Sequence, residues 1–109
     1  MKSKTIIAEI KFRPSWDEAT YQVRIIAEEY ADGATSLRAE DAETGESFAT
    51  LSVHVPEEEL KPGEIILKDW SENEELAEVL IRHGILELVK DAPHVFFDYV
   101  VARRYRVIG

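Results

Sequence analysis

The sequence predicts an α+β domain, a curved and mostly antiparallel sheet of about five to six strands with one main helix, at about residues 72–83, packed on it. Three observations predict it. Apolar and polar residues alternate in short runs through the first half of the chain. Turn sequences, Asp32-Gly33 and Thr44-Gly45, separate those runs. Late in the chain one stretch changes to a helical period between clear start and stop signals.

In the first strand, Thr5 to Phe12, Ile6, Ala8, Ile10 and Phe12 fall on one face, with Glu9, Lys11 and Arg13 on the other. Arg13-Pro14-Ser15 ends it, because proline brings no ladder donor. The second strand, Thr20 to Tyr30, sets Tyr21, Val23, Ile25 and Ala27 against Gln22, Arg24 and Glu28. A turn at Ala31-Asp32-Gly33-Ala34 leads to a third strand, Thr35 to Asp41, and Glu43-Thr44-Gly45-Glu46 is another turn. Ser47 to Val55 reads as a fourth strand with Ala49, Leu51, Val53 and Val55 on the core side, stopped by Pro56. Antiparallel strands joined by such short loops make a meander. The charged run from Glu57 to Gly63 connects to a short fifth strand, Glu64 to Lys68.

The helix has Ser71 as N-cap, with Glu74 at capping-box spacing. Glu72, Glu74 and Glu75 crowd the first turn, where the helix dipole favours them. Leu76, Val79, Leu80 and His83 make the apolar stripe; Gly84 is the C′ residue, and Ile85 packs back on Leu80. Ile85 to Val89 is a short strand or extended turn, broken by Asp91-Ala92-Pro93. Val95 to Ile108 is rich in aromatic and β-branched residues and reads as one long bent strand. With no internal repeat and no low-complexity linker, residues 1–109 form one domain.

Composition narrows the function. With no cysteine, a disulfide scaffold, a thiolate zinc site and a cysteine nucleophile are excluded. Glu9 and Lys11 interrupt the first apolar run too early for a signal peptide, and no stretch reaches the length of a membrane helix, so the expectation is a cytoplasmic protein with no membrane partner. Twenty-two acidic against 13 basic residues give a net charge of −9, which argues against direct nucleic-acid binding. Such a surface serves solubility, a basic protein partner or mimicry of nucleic acid. Gln22 and Asn73 are the only amide side chains, methionine occurs once, and 32% of residues are charged. That composition points to a thermophilic source.

No nucleophile elbow, phosphate-cradling loop or dinucleotide fingerprint is present, and no catalytic residue, cofactor or metal site is assigned. His54, His83 and His94 lack metal-ligand spacing, and His54 falls on the face away from the core. The glutamates around Glu58 and Glu74 read as solvated. Asp98 stands out, because it interrupts an apolar run and needs either solvent or an arginine. In the segment Arg103-Arg104-Tyr105-Arg106, strand geometry puts Arg104 and Arg106 on one face and Arg103 with Tyr105 on the other. Arg104 and Arg106 either hold a phosphate or base or pair with glutamates on adjacent strands. Trp70 suits core packing, whereas Trp16, in a loop, suits a lid or an interface anchor.

The run from Gly45 to Pro56, GESFATLSVHVP, is followed by Lys68-Asp69-Trp70-Ser71-Glu72-Asn73 and by His83-Gly84-Ile85-Leu86. Together with Glu29 to Leu37 these resemble a family of small domains carried by bacteria, phages and other mobile elements, with the pattern GEPxATLTVNLP, KDxSEN and a GI turn. The resemblance spans roughly residues 29–86; His54 stands where the family carries Asn, and the first and last strands lie outside it. It implies a small accessory protein and carries no site residues. Lys68, Asp69, Trp70, Glu72 and Asn73 hold more polar and aromatic detail than capping requires, so they join Trp16, Asp98 and the three tail arginines as candidate binding residues.

The expected function is that of a small acidic, non-catalytic binding protein acting on a host protein, with a host defence nuclease as one candidate. The alternative is a small-molecule binder or small enzyme using the concave face of the sheet, with Asp98, Tyr99, Arg103 or Trp16 at its mouth. A homodimer formed through an exposed edge strand is the third reading.

Overall fold

The computed structural model describes residues 4–30, 33–55, 60–70, 73–90, 92, 94–97 and 100–108. The predicted α+β class holds, with mostly antiparallel strands and one helix. The single sheet does not: the described residues form three sheets.

Strands β1 (Lys4–Phe12), β2 (Tyr21–Glu29), β3 (Thr35–Asp41) and β4 (Ser47–Thr50) make the predicted meander, in the order β1-β2-β3-β4. Gly33 has φ +86°, which a side chain would resist, and its N–H donates to Tyr30 O at 2.9 Å, closing the second turn. The pairing of β1 with β2 slips between Ile6 and Ala8, so Ile7 is an extra residue. This bulge corrects the predicted alternation. Ile7, Ala8, Ile10 and Phe12 reach the main core, while Ile6 is exposed.

Ile26 is fully buried although it points away from that core. Charged side chains surround it. Arg24 donates to Glu40 at 2.9 Å, and Arg38 reaches Glu40 at 3.0 Å and Glu28 at 2.5 Å. Arg24 and Glu40 are opposite in register, as are Ile26 and Arg38, so the chain of ion pairs crosses β2 and β3 diagonally. Arg38 first, with Arg24 beside it, holds the Glu40 carboxyl below its usual range.

The predicted fourth strand is two strands in two sheets. β4 ends at Thr50, and after Leu51 the chain enters β5 (Ser52–Val53) of a second sheet. That sheet runs β5-β6-β10-β7, from β6 (Glu64–Leu67), β10 (Arg104–Val107) and β7 (Leu86–Leu88). Ile65, Leu67, Leu86 and Tyr105 share the main core with Val23, Ile25, Leu37 and Leu51 of the meander side. The helix α1 (Glu74–Arg82) adds Leu76, Ala77 and Leu80.

α1 is two residues shorter at its start than predicted. Ser71 lies outside the described residues, and the cap position falls on Asn73, whose side chain makes no capping hydrogen bond. Its amide Nδ2 donates instead to Thr50 O at 2.6 Å. His83 is exposed, so the apolar face turns toward Ala77. The C-terminus is as predicted: Gly84 N–H donates to Ile81 O and Ile85 N–H to Leu80 O, with Gly84 at φ +74°.

The predicted long last strand is three strands. β8 (Val95–Phe97) and β9 (Val100–Ala102) pair antiparallel as the third sheet before β10 begins. Val95 and Ala102 close a second core with Ile66, Val53, Val55, Leu60 and Trp70. Ile66 of β6 is therefore covered on the face away from the main core. No helix among the described residues is long and apolar enough to cross a membrane.

Asn73 is almost completely buried and holds a carbonyl at the point where the chain changes sheets. Asn73→Ala leaves Thr50 O without that donor and lowers unfolding stability by about 1–3 kcal/mol. Urea denaturation of the variant measures the loss, and Asn73→Asp, which removes the donor and adds charge, is at least as damaging.

Candidate functional site

The β8–β9 hairpin presents two different faces. Val95 lies opposite Ala102, and Phe96 opposite Val101. Successive pairs alternate faces in a two-stranded ladder. The first pair is buried in the second core, so the next pair points outward. Phe96 is 82% exposed and Val101 51% exposed. Burying a side chain of this kind stabilises by about 1.5–3 kcal/mol, and folding has left that gain unused on a firmly anchored arm.

A second feature lies between β4, the loop after β1 and the start of α1. Pro14, Trp16, Tyr21, Phe48, Ala49, Asn73 and Leu76 line a cavity of about 230 Å³. Phe48 is aimed there by a bulge, since Ala39 pairs with Ala49 but Glu40 with Ser47. Its ring lies 5.3 Å from Tyr21 and 6.0 Å from Phe12, and Phe12 meets Trp16 edge-on at 6.5 Å. Trp16 stays 60% exposed at the rim.

Short polar contacts fix the Trp16 loop. Ser15 Oγ donates to Glu75 of α1 at 2.8 Å, and Ser15 N–H donates to the same carboxylate at 3.1 Å. The Asp17 carboxylate accepts from Ala19 N–H at 3.0 Å and from the Tyr21 hydroxyl. The Tyr21 bond, then the Ala19 bond, hold the Asp17 carboxyl below its ordinary range, while Asp17 raises the Tyr21 hydroxyl above its own.

The remaining candidate residues divide. Arg104 and Arg106 lie on one face of β10, as predicted, and approach glutamates on adjacent strands: Arg104 is 3.9 Å from Glu64, and Arg106 is 3.5 Å from Glu64 and 3.6 Å from Glu87. Arg103 is exposed outside their groove. Trp70 packs on the second core. Lys68 N–H donates to Leu51 O at 2.7 Å, a backbone role at the sheet change. Burial, then the Asp69 charge, pushes the Tyr105 hydroxyl up. Glu72, Asp98 and Tyr99 lie outside the described residues.

Among the described residues, the structure therefore brings Trp16 together with Asn73, and Arg104 with Arg106, but forms no common site from Lys68, Asp69, Trp70 and Asn73. Sequence reasoning missed Phe48 and Tyr21 as cavity walls and Phe96 and Val101 as an exposed pair. A chain reversal between Phe97 and Val100 was the missing information for that pair. His54 is exposed, as predicted, and stacks on Tyr30 at 4.2 Å. Among the described residues, no group of three or more His, Cys, Asp or Glu is placed to hold a metal.

Comparison with protein-family models, curated proteins and solved structures finds no match for the chain.

The Asp17–Tyr21 bond needs an ionised carboxylate and a protonated phenol. Its stabilisation is full above the unfolded Asp pKa and below the unfolded Tyr pKa. It is lost on the acid side as pH falls through the lowered Asp17 value, and on the alkaline side as pH rises through the raised Tyr21 value. Asp17→Asn should return the Tyr21 titration toward the ordinary tyrosine range, read by ultraviolet absorbance. A titration unchanged by the substitution would refute the pairing.

Proposed function

We propose that the protein is a small acidic, non-catalytic binding protein of the cytoplasm that docks a partner protein on the outward face of the β8–β9 hairpin. The exposed Phe96–Val101 pair carries this reading. An aromatic beside a branched aliphatic, anchored from behind by Val95 and Ala102, has the makings of a central interface anchor. The net charge of −9 sets the sign of the partner, which presents a basic rim. The resemblance over residues 29–86 supports an accessory role for a mobile element, acting on a host protein such as a defence nuclease.

The second reading is a small-molecule binder, favoured by the aromatic cavity under Trp16. The meander's inner face is filled by the main core, so this reading moves from the concave face of the sheet to the cavity at its end. Its volume suits a single flat ring better than a drug-sized ligand.

Affinity capture from lysate of the source organism tests both readings. The docking reading expects one basic protein, retained at low salt and lost at high salt. Phe96→Ser should abolish capture without changing the melting temperature, because the ring makes no part of either core. Capture unaffected by Phe96→Ser contradicts docking at the hairpin. A co-purifying aromatic molecule that quenches Trp16 fluorescence, with no protein partner, establishes the second reading. Concentration-dependent doubling of mass that Phe96→Ser abolishes makes the partner a second copy.

A further inference from the structure

The outer face of the β5-β6-β10-β7 sheet is only partly covered. The hairpin closes over Ile66, but beyond it Glu64, Arg106 and Glu87 lie opposite one another across β6, β10 and β7. They form the floor of an open groove of about 790 Å³. Arg104, two residues back on the same face of β10, stands beside them. Lys61, in the turn before β6, and Lys90, just after β7, stand at opposite rims.

The charges of the described lining of this groove are the reverse of those of the chain. Its described lining holds four cations, Lys61, Lys90, Arg104 and Arg106, against two carboxylates, Glu64 and Glu87. The whole chain carries −9. Neither lysine has an ion-pair partner among the described residues, whereas the outer face of the meander binds its arginines at 2.5–3.0 Å. Arg106 is different from those arginines. It is held between Glu64 and Glu87 at 3.5 and 3.6 Å, beyond the 2.7–2.9 Å of a charge-assisted hydrogen bond. Its side chain keeps 45% exposure, while the Glu64 side chain beneath it has 3%. Glu64 is fixed in place, accepting from Lys61 N–H at 3.0 Å. An incoming oxyanion can therefore take the Arg106 donors without breaking a short bond, and then engage a lysine on either rim.

We propose that this groove is a binding site for a compact small-molecule polyanion bearing two or more phosphoryl or carboxylate groups. One group sits over the Arg106 guanidinium, whose planar fork matches either oxyanion, and the others reach Lys61 and Lys90. The groove is the size of a ligand pocket rather than of a long backbone track. The acidic remainder of the chain repels extended polyanions, whereas screening over about 10 Å at moderate salt leaves the local attraction intact. The site is independent of the hairpin, so the docking reading and this one fail separately.

Calorimetric titration of the intact protein with inorganic pyrophosphate, and in parallel with citrate, tests the site. The expected result is saturable one-site binding to at least one probe with a dissociation constant below about 1 mM at low salt. The stronger probe identifies the anion class. Arg106→Gln and the double variant Lys61→Gln/Lys90→Gln should each weaken binding roughly tenfold or more, as loss of charge-assisted bonds requires. Glu64→Gln keeps the acceptor for Lys61 N–H but removes a floor charge, so it should tighten binding several-fold, a gain that a structural role would not produce. Circular dichroism confirms that each variant is folded. No saturable binding to either probe, or binding indifferent to the arginine and lysine substitutions, overturns the proposal.

Discussion

At Leu51 the chain leaves one sheet and enters another, and the buried backbone groups around the crossing need partners that no single strand ladder supplies. Buried backbone groups without partners are costly, so the crossing exists only because substitutes are supplied. Leu51 N–H still donates to Leu37 O at 2.9 Å in β3, while Leu51 O accepts from Lys68 N–H at 2.7 Å beside β6. Leu37 N–H, which the departing strand abandons, donates to the Ser52 hydroxyl at 2.9 Å. Thr50 O accepts from the Asn73 amide at the head of α1. One residue thus bonds both sheets, and two buried polar side chains, Ser52 and Asn73, complete the set. The Leu51 side chain, fully buried, fills the core that the crossing creates.

Other features of the molecule follow from this junction. With Asn73 tied to Thr50, α1 starts where Glu75 can meet Ser15, which holds the loop bearing Trp16. The aromatic cavity lies beside the junction for that reason, with Asn73 in its wall. On the far side, β5 and β6 carry Val53 and Ile66 outward to receive the hairpin. That packing positions Phe96 and Val101 and leaves the Arg106 groove uncovered. The charged rows are separate solutions: a tight ion-pair network where Ile26 needs cover, and a loose one where the sheet face is open.

What the sequence disclosed was what local chemistry determines. The meander was legible because alternation and turn residues agree over strands of seven to nine residues. The Gly84 end of the helix was legible because its hydrogen bonds are local. The pairing of Arg104 and Arg106 with glutamates on adjacent strands was one of the two alternatives read from their alternation. What it hid were events set by distant partners. GESFATLSVHVP alternates without a break, so nothing in it marks the change of sheet at Leu51; the acceptor and donor that permit it lie at Ser52 and Asn73. Asn73 looked like a site residue because it closes a stretch with more polar and aromatic detail than capping requires, and its observed bond is structural. The run from Val95 to Ile108 is β-prone throughout, and composition does not reveal where such a run reverses. The bulges at Ile7 and Phe48 were equally silent, although each redirects a side chain.

The Leu51 crossing makes both sheets and the helix a single cooperative unit. Native-state hydrogen exchange tests this cooperativity. The Leu37, Leu51 and Lys68 amides should exchange only through global unfolding, with the same free energy as the interior of β2 and of β6. Exchange of the β5-β6-β10-β7 sheet at a distinctly lower free energy, with the meander still protected, would show that the sheets open independently and would contradict it.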